Sequence, residues 1–131
     1  MKKDIQIPIV KDVYIAAVKE KSKNSEVSEW HVYLINDLNI GLETVIIVSE
    51  GFSKKDKTST LRKTIPFLPK KSFAKLELLP DELLKLTNQY KVSFFSNNQL
   101  LDKTFTFKLN SIKDSALTEI PLLPQQGILA K

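Results

Sequence analysis

The chain has 131 residues, 42% of them hydrophobic, and carries a formal net charge of +5. This length fits one domain, and the absence of cysteine excludes a disulfide framework, a thiolate metal site and a cysteine nucleophile. No stretch approaches the roughly 20 apolar residues that a membrane-spanning helix needs, and no apolar segment of a signal peptide follows the N-terminal lysines. We therefore expect one cytoplasmic domain over residues 1–131, with an N-terminal extension at residues 1–10.

The first half of the chain predicts three strands. Segments that are rich in β-branched and aromatic residues, with apolar side chains at alternate positions, are typical of strands. Such segments cover residues 13–18, 30–35 and 42–48. A polar, lysine-rich segment at residues 50–59 is expected to be a loop.

Two further strands are predicted in the middle of the chain, over residues 61–65 and 73–79. Since proline cannot donate a ladder hydrogen bond, the two prolines of residues 66–69 are expected to bracket a bend between these strands. Strict alternation along the second strand places Leu76 and Leu78 on the same face.

The one helical candidate is a segment of about two turns at residues 80–86. Asp81 and Glu82 lie in its first turn, where the helix dipole favours negative charge. Adjacent positions on a helix do not face each other, so these two acids are not a catalytic carboxylate pair. A strand is predicted directly after the helix, over residues 90–95.

The last predicted hairpin has a two-residue turn at residues 97–98, because asparagine tolerates the positive φ angles of a type I′ turn. The returning strand covers residues 100–109. This register pairs Lys103 with Val92, and a lysine that faces a core is costly. We therefore expect either a bulge near residues 102–103 or a position at the mouth of the fold.

These seven strands, with one short helix before the sixth, predict an all-β fold, an antiparallel immunoglobulin-like β-sandwich. A five-stranded barrel of the oligonucleotide-binding type is the alternative. Such barrels usually need glycine at their sharp corners. Only three glycines occur in the chain, and none lies within a predicted strand, which favours the sandwich.

The residues around the sixth strand resemble the E–F crossing of fibronectin type III and immunoglobulin-like domains. In those domains a leucine precedes a tyrosine whose hydroxyl bonds back to upstream backbone, the tyrosine corner. The resemblance implies that Leu84 is this leucine, that Tyr90 is this tyrosine and that Trp30 is the core tryptophan of an early strand. The usual proline and glycine between the leucine and the tyrosine are missing here.

Over its whole length the sequence also resembles a family of small bacterial proteins with no established activity. The resemblance implies no substrate, partner or functional residue. The stretches that carry it are residues 13–18, 32–37, 57–62, 102–107 and 129–131.

No recognisable catalytic, cofactor or metal motif is present in the sequence. His31 is the only histidine, and on a strand it faces away from Trp30, which favours an ordinary strand residue over a zinc ligand. The sequence contains neither a GxSxG nucleophile motif nor a glycine-rich phosphate loop. We therefore expect a protein that is not an enzyme, has no cofactor and binds no metal.

Positive charge is concentrated in one segment. Residues 52–75 contain eight basic side chains and one acid, whereas the rest of the chain has twelve basic and fourteen acidic residues. This segment could follow a phosphate backbone, with a phenylalanine as a stacking surface. The alternative is a solvated loop followed by an edge strand that uses lysine to repel other edges. The possible basic binding patch comprises Lys54, Lys55, Lys57, Arg62, Lys63, Lys70, Lys71 and Lys75.

A second feature is an excess of apolar residues on both faces of two strands, at residues 45–48 and 94–95. In an immunoglobulin-like topology these strands are neighbours, and we expect Val45, Ile47 and Phe95 to point outward and form an interface. Such a patch should be covered. The candidates are a second subunit or the C-terminal tail, residues 110–131, packing on the domain.

The sequence therefore favours a non-enzymatic protein-interaction module, expected to be a homodimer or to bind another protein. Nucleic-acid binding through residues 54–75 is the alternative, and an enzyme of unrecognised type is a third, less favoured class. No membrane partner is expected.

Overall fold

A computed structural model of the chain describes residues 9–21, 26–58 and 60–131. Residues 1–8, most of the expected N-terminal extension, lie outside this part. No helix in the described ranges has the length and apolar character needed to cross a membrane. The elements in chain order are β1 (Val13–Lys21), β2 (Ser28–Asn36), β3 (Leu42–Phe52), β4 (Leu61–Leu68), β5 (Ser72–Leu79), α1 (Asp81–Leu84), β6 (Thr87–Ser96), β7 (Gln99–Phe107), a 3₁₀ turn (Asp114–Ala116), β8 (Thr118–Glu119) and β9 (Gln126–Leu129).

The strands form two packed antiparallel sheets, as the sequence predicted. One sheet has the order β5-β2-β1-β9-β8, and the other has the order β4-β3-β6-β7. In immunoglobulin lettering, β1, β2 and β5 correspond to strands A, B and E, and the second sheet corresponds to C′-C-F-G. The protein is thus an immunoglobulin-like sandwich. The tail adds β8 and β9, which the sequence pattern did not indicate.

The core lies between the sheets and follows from the two-residue period of the strands. Alternate side chains such as Ile15 on β1 and Leu34 on β2 meet Val92 and Phe94 on β6, and all four are at most 1% exposed. Trp30 also lies in the core, at 7% exposure, as the resemblance implied. Each such side chain contributes about 1.5–3 kcal/mol by its burial.

The C-terminal tail packs on the five-stranded sheet. Strand β9 pairs with β1, so that Ile128 lies opposite Ala17, and the terminal Lys131 exchanges backbone hydrogen bonds with Thr106 on β7 in the other sheet. A second apolar cluster forms on the outer face of the five-stranded sheet. Its members are Ala16, Val18, Tyr33, Ile35 and Ile120, with Tyr14, Leu123 and Leu129 packed against them.

Two local expectations were wrong. A register irregularity between β2 and β5 interrupts the alternation, so that Leu76 and Leu79 are buried while Leu78 is 40% exposed. Pro66 does not begin a bend, because it lies within β4. Proline is tolerated there because β4 is an edge strand, and its pairing with β3 skips Pro66 and Thr44.

The turn at residues 97–98 is confirmed, with φ angles of 52° and 61°. Lys103 pairs with Val92 as predicted, but the ladder between β6 and β7 has no bulge. Because β7 is an edge strand, the Lys103 side chain reaches solvent, and its ammonium lies 4.9 Å from the centre of the Phe105 ring.

Tyr90 lies in the core, 1% exposed, and its ring meets that of Phe107 edge to face at 6.0 Å. Leu84 packs against the same core. Within the described ranges the Tyr90 hydroxyl does not form the expected hydrogen bond to upstream backbone, and the side chain of Glu77 on β5 is the group that influences it. Burial, together with the negative charge of Glu77, raises the pKa of Tyr90.

Candidate interaction surface

On β3 the residues predicted to form an interface point to the opposite face of the sheet from the one expected. Val45 and Ile47 point into the core and are 0% and 3% exposed, so the prediction that they face outward was wrong. A register irregularity between β3 and β6 follows Glu43, and Thr44 has a φ of 47°. This bulge lets Leu42 and Val45 both face the core. Phe95 is exposed, as expected.

The outer face of the four-stranded sheet carries exposed apolar side chains on β4, β6 and β7, in a row whose β3 position is the exposed Glu43. Register pairs Phe67 with Glu43, Glu43 with Phe95, and Phe95 with Leu100. Phe67, Phe95 and Leu100 are 54%, 41% and 59% exposed. The half-buried Ile46 lies on the same face in the next row, where it pairs with Thr64 and Ser93. We call Ile46, Phe67, Phe95 and Leu100 the apolar row. The tail does not cover it, because the tail packs on the other sheet.

The charges on this face are distributed unevenly between its two edges. Arg62 on β4 is paired with Val48, which is paired with Lys91. Asp102 on β7 lies one row away, beside Ser93. Rows on one face are about 6.8 Å apart along a strand. The face therefore has a basic position at the β4 edge and an acidic position at the β7 edge, with Glu43 and Lys91 on the two central strands.

Both edges of this sheet are protected against the addition of another strand. Lys63 on β4 pairs with the inward-facing Ile47, and Lys103 on β7 pairs with the inward-facing Val92. Inward-pointing charges and proline on edge strands are known protections against edge-to-edge pairing, and β4 also contains Pro66. Neither edge of this sheet is therefore suited to pairing with a further strand.

The possible basic binding patch is divided among several parts of the fold. Lys54, Lys55 and Lys57 follow β3, Arg62 and Lys63 lie on β4, Lys70 and Lys71 form the β4–β5 turn, and Lys75 lies on β5. Because β4 has eight residues and a strand rises about 3.3 Å per residue, the two ends of this set are more than ~20 Å apart. The eight side chains do not form one compact patch.

Four of the eight basic side chains have partners within the fold. The ammonium groups of Lys71, Lys75 and Lys57 lie 3.0, 3.0 and 3.5 Å from carboxylate oxygens of Asp37, Glu20 and Glu50. The ammonium of Lys63 donates to the backbone carbonyls of Lys75 and Leu76, each at 3.2 Å. Within the described ranges, the other four (Lys54, Lys55, Arg62 and Lys70) form no ion pair.

Lys75 belongs to a small polar cluster on the outer face of the five-stranded sheet. Tyr33 donates a hydrogen bond of 2.7 Å to Glu20, and the Lys75 ammonium lies 5.7 Å from the centre of the Tyr33 ring. Partial burial opposes ionisation of Glu20, but hydrogen bonds from Tyr33 and Lys75 outweigh it and lower the pKa of Glu20. This lysine stabilises the fold and is not free to bind a ligand.

His31 is half-buried on β2 and lies between Val18 and Leu78 in the sheet. No group of three or more His, Asp or Glu side chains in the described part of the chain could hold a metal ion. Asp81 and Glu82 are exposed at the start of α1. None of these side chains assembles a catalytic set.

Sequence reasoning identified Phe95 but missed Phe67 and Leu100. The signal for Leu100 was its position directly after the turn at residues 97–98, which pairs it with Phe95. Phe67 gave no such signal, since the expected bend at residues 66–69 removed it from the strand. Comparison with protein-family models, curated proteins and solved structures finds no match for this chain.

Proposed function

We propose that the protein is a cytoplasmic, non-enzymatic interaction module that associates through the outer face of its four-stranded sheet, with a second copy of the same chain as the partner. The observation that supports this proposal is the apolar row. Its three exposed members (Phe67, Phe95 and Leu100) lie in one row on the same face, with Glu43 between Phe67 and Phe95. Large apolar side chains exposed together on one face are typical of binding sites.

The two edges of the face are complementary to each other. A two-fold axis parallel to the strands, running between β3 and β6, brings β4 of one copy over β7 of the other. Because Phe67 and Leu100 lie in the same row, each then meets the other residue in the second copy. Arg62 is then offset from Asp102 in the second copy by one row, about 7 Å along the strand direction, an offset that an arginine side chain can bridge. Self-complementarity of this kind is what a two-fold interface requires.

We expect a reversible dimer, because three exposed apolar side chains form a small hydrophobic centre compared with an obligate interface. A dissociation constant of about 1–100 μM corresponds to such an interface. Size-exclusion chromatography with light scattering, run at roughly ten times that constant, should therefore give a mass above that of the monomer.

The test uses a double variant, Phe95→Lys with Leu100→Lys, which places two charges in the centre of the proposed interface. Dimerisation should weaken by about a hundredfold or more. Leu109→Lys is the matched control, because Leu109 is 52% exposed but lies beyond the end of β7. A wild-type protein that remains monomeric, or a double variant that associates as well as the control, would refute the proposal.

Nucleic-acid binding is a second candidate function. Phe52, Lys54, Lys55 and Leu109 line an open depression of about 590 Å³ at one end of the sandwich, where two cations adjoin an aromatic ring. Retention on heparin that falls with salt, and that Lys54→Glu with Lys55→Glu abolishes while Lys70→Glu does not, would support it. Equal retention of both variants would remove this candidate.

A further inference from the structure

A separate cavity of about 290 Å³ lies at one end of the sandwich. Side chains from both sheets line it, since Ser49 and Tyr90 belong to the four-stranded sheet and Glu77 to the five-stranded sheet. Leu61 and Leu83 contribute apolar wall, and Asn88 is also part of the lining. Volumes near 300 Å³ are at the small end of the range for ligand pockets.

The centre of this cavity is a carboxylate that accepts a hydrogen bond from one hydroxyl group and has a second hydroxyl group near it. Ser49 Oγ donates a hydrogen bond of 2.9 Å to Glu77 Oε2 across the gap between the sheets, and the Tyr90 hydroxyl also interacts with Glu77. Ser49 and Tyr90 are 7% and 1% exposed, so both donors are fixed by their surroundings. The carboxylate is thus oriented before any ligand arrives.

Glu77 accepts a hydrogen bond from Ser49 but has no cation at ion-pair distance among the described residues. Lys63 is the basic side chain on the adjacent edge strand, and its ammonium is bonded to the carbonyls of Lys75 and Leu76. Glu50 also lines the cavity, where Lys57 pairs with it. A partly buried carboxylate without a counter-charge is costly, and a cationic ligand would relieve that cost.

We propose that this cavity binds a small aliphatic ligand with a primary ammonium group, which donates to Glu77 while its hydrocarbon part contacts Leu61 and Leu83. The ligand matches the site in charge, in hydrogen-bonding direction and in size. The proposal does not depend on dimerisation, because none of these residues belongs to the apolar row.

The probe for this site is n-butylammonium chloride, titrated into ¹⁵N-labelled full-length protein at constant ionic strength. The amide signals of Ser49, Gly51 and Asn88 should shift in a saturable manner with a dissociation constant of about 1 mM or weaker, as a five-atom ligand allows. The neutral n-butanol tests whether the positive charge is required. At the same concentration it should produce chemical-shift changes of these signals that are at least about tenfold smaller. A Gly-Lys-Gly peptide tests whether the same group is accepted from a lysine side chain.

The variant Glu77→Gln keeps the size of the side chain and removes its charge. It should weaken n-butylammonium binding by roughly tenfold or more, whereas Glu119→Gln, on the exposed strand β8, should not change it. Absence of saturable shifts in the wild-type protein, equal binding of n-butanol, or shifts located elsewhere would each overturn the proposal. The wild-type titrations decide the question even if Glu77→Gln fails to fold.

Discussion

Replacing Tyr90 with phenylalanine should destabilise the fold substantially, although it removes only one oxygen atom. The ring stays in place against Phe107 and keeps its packing contacts. The hydroxyl that interacts with the Glu77 carboxylate is lost, and Glu77 keeps only the donor from Ser49. A hydrogen bond to a charged group contributes about 1.5–3 kcal/mol, so we expect the free energy of unfolding to fall by roughly 2 kcal/mol.

Tyr33→Phe is the matched control, because Tyr33 also donates to a glutamate, Glu20, at 2.7 Å. In that pair Glu20 keeps the Lys75 ammonium at 3.0 Å after the Tyr33 hydroxyl is removed, so the loss should be about 1 kcal/mol or less. Urea denaturation at pH 7 compares the two variants. Equal losses, or a larger loss in Tyr33→Phe, would refute the assignment of Tyr90 and Glu77 as a buried pair.

The Tyr90 pair also predicts a dependence of stability on alkaline pH. The folded-state pKa of Tyr90 is raised above the ordinary value of 10.0, so its contribution is fully present below pH 10. Above that value the unfolded chain releases the proton while the folded chain retains it. Stability should therefore fall by up to about 1.4 kcal/mol per pH unit from this one group. The slope should be shallower in Tyr90→Phe.

Three further outcomes follow from the structure. Glu20 has a lowered pKa in the folded state, so the stability that its charged form contributes is present above its unfolded pKa and is lost as the pH falls through the folded value. The variant Glu20→Gln should therefore make the midpoint of thermal unfolding less sensitive to acid. An unchanged acid profile would contradict this. Gly127→Ala should lower the free energy of unfolding, measured in urea, by about 1–3 kcal/mol, because the new Cβ would lie 2.4 Å from the Ala17 carbonyl oxygen. In Gly51→Ala the new Cβ would meet no atom closer than 3.1 Å, so this variant should lose less stability. Lys103→Val removes an inward charge from an edge strand and should increase aggregation on light scattering relative to Lys108→Val; equal aggregation would contradict the protective role of Lys103.

The sequence pattern was sufficient to predict the seven main strands, the short helix and the pairing after the turn at residues 97–98. These features depend on local alternation and on turn residues, which a single sequence contains. Strand ends were placed less well, and β3 extends to Phe52, into the segment that was expected to be a loop.

The sequence could not predict which face of the sheet a side chain occupies where a bulge shifts the alternation along the strand. Along residues 45–48 every position is apolar, so the sequence does not distinguish the inner from the outer face. The bulge at Thr44 decides the phase, and it needs a positive φ that nothing in the local pattern indicates. The same reasoning applies to β5, where the irregularity opposite Val32 buries Leu79 instead of Leu78.

Which basic side chains remain unpaired depends on acidic residues that are distant in the sequence. Asp37 and Glu20 are far from Lys71 and Lys75 in the sequence, and only the pairing of β2 with β1 and β5 brings them together. Charge counting therefore overestimated the size of the patch. The Ser49–Glu77–Tyr90 cluster has the same origin, because its members come from three strands in two sheets.

The most direct test of the proposed interface is an isotope-filtered NMR experiment on an equimolar mixture of labelled and unlabelled protein. The two-fold arrangement predicts nuclear Overhauser contacts between the Phe67 ring of one copy and the Leu100 methyl groups of the other. Intermolecular contacts confined to other surfaces, or none at a concentration where light scattering shows a dimer, would contradict it.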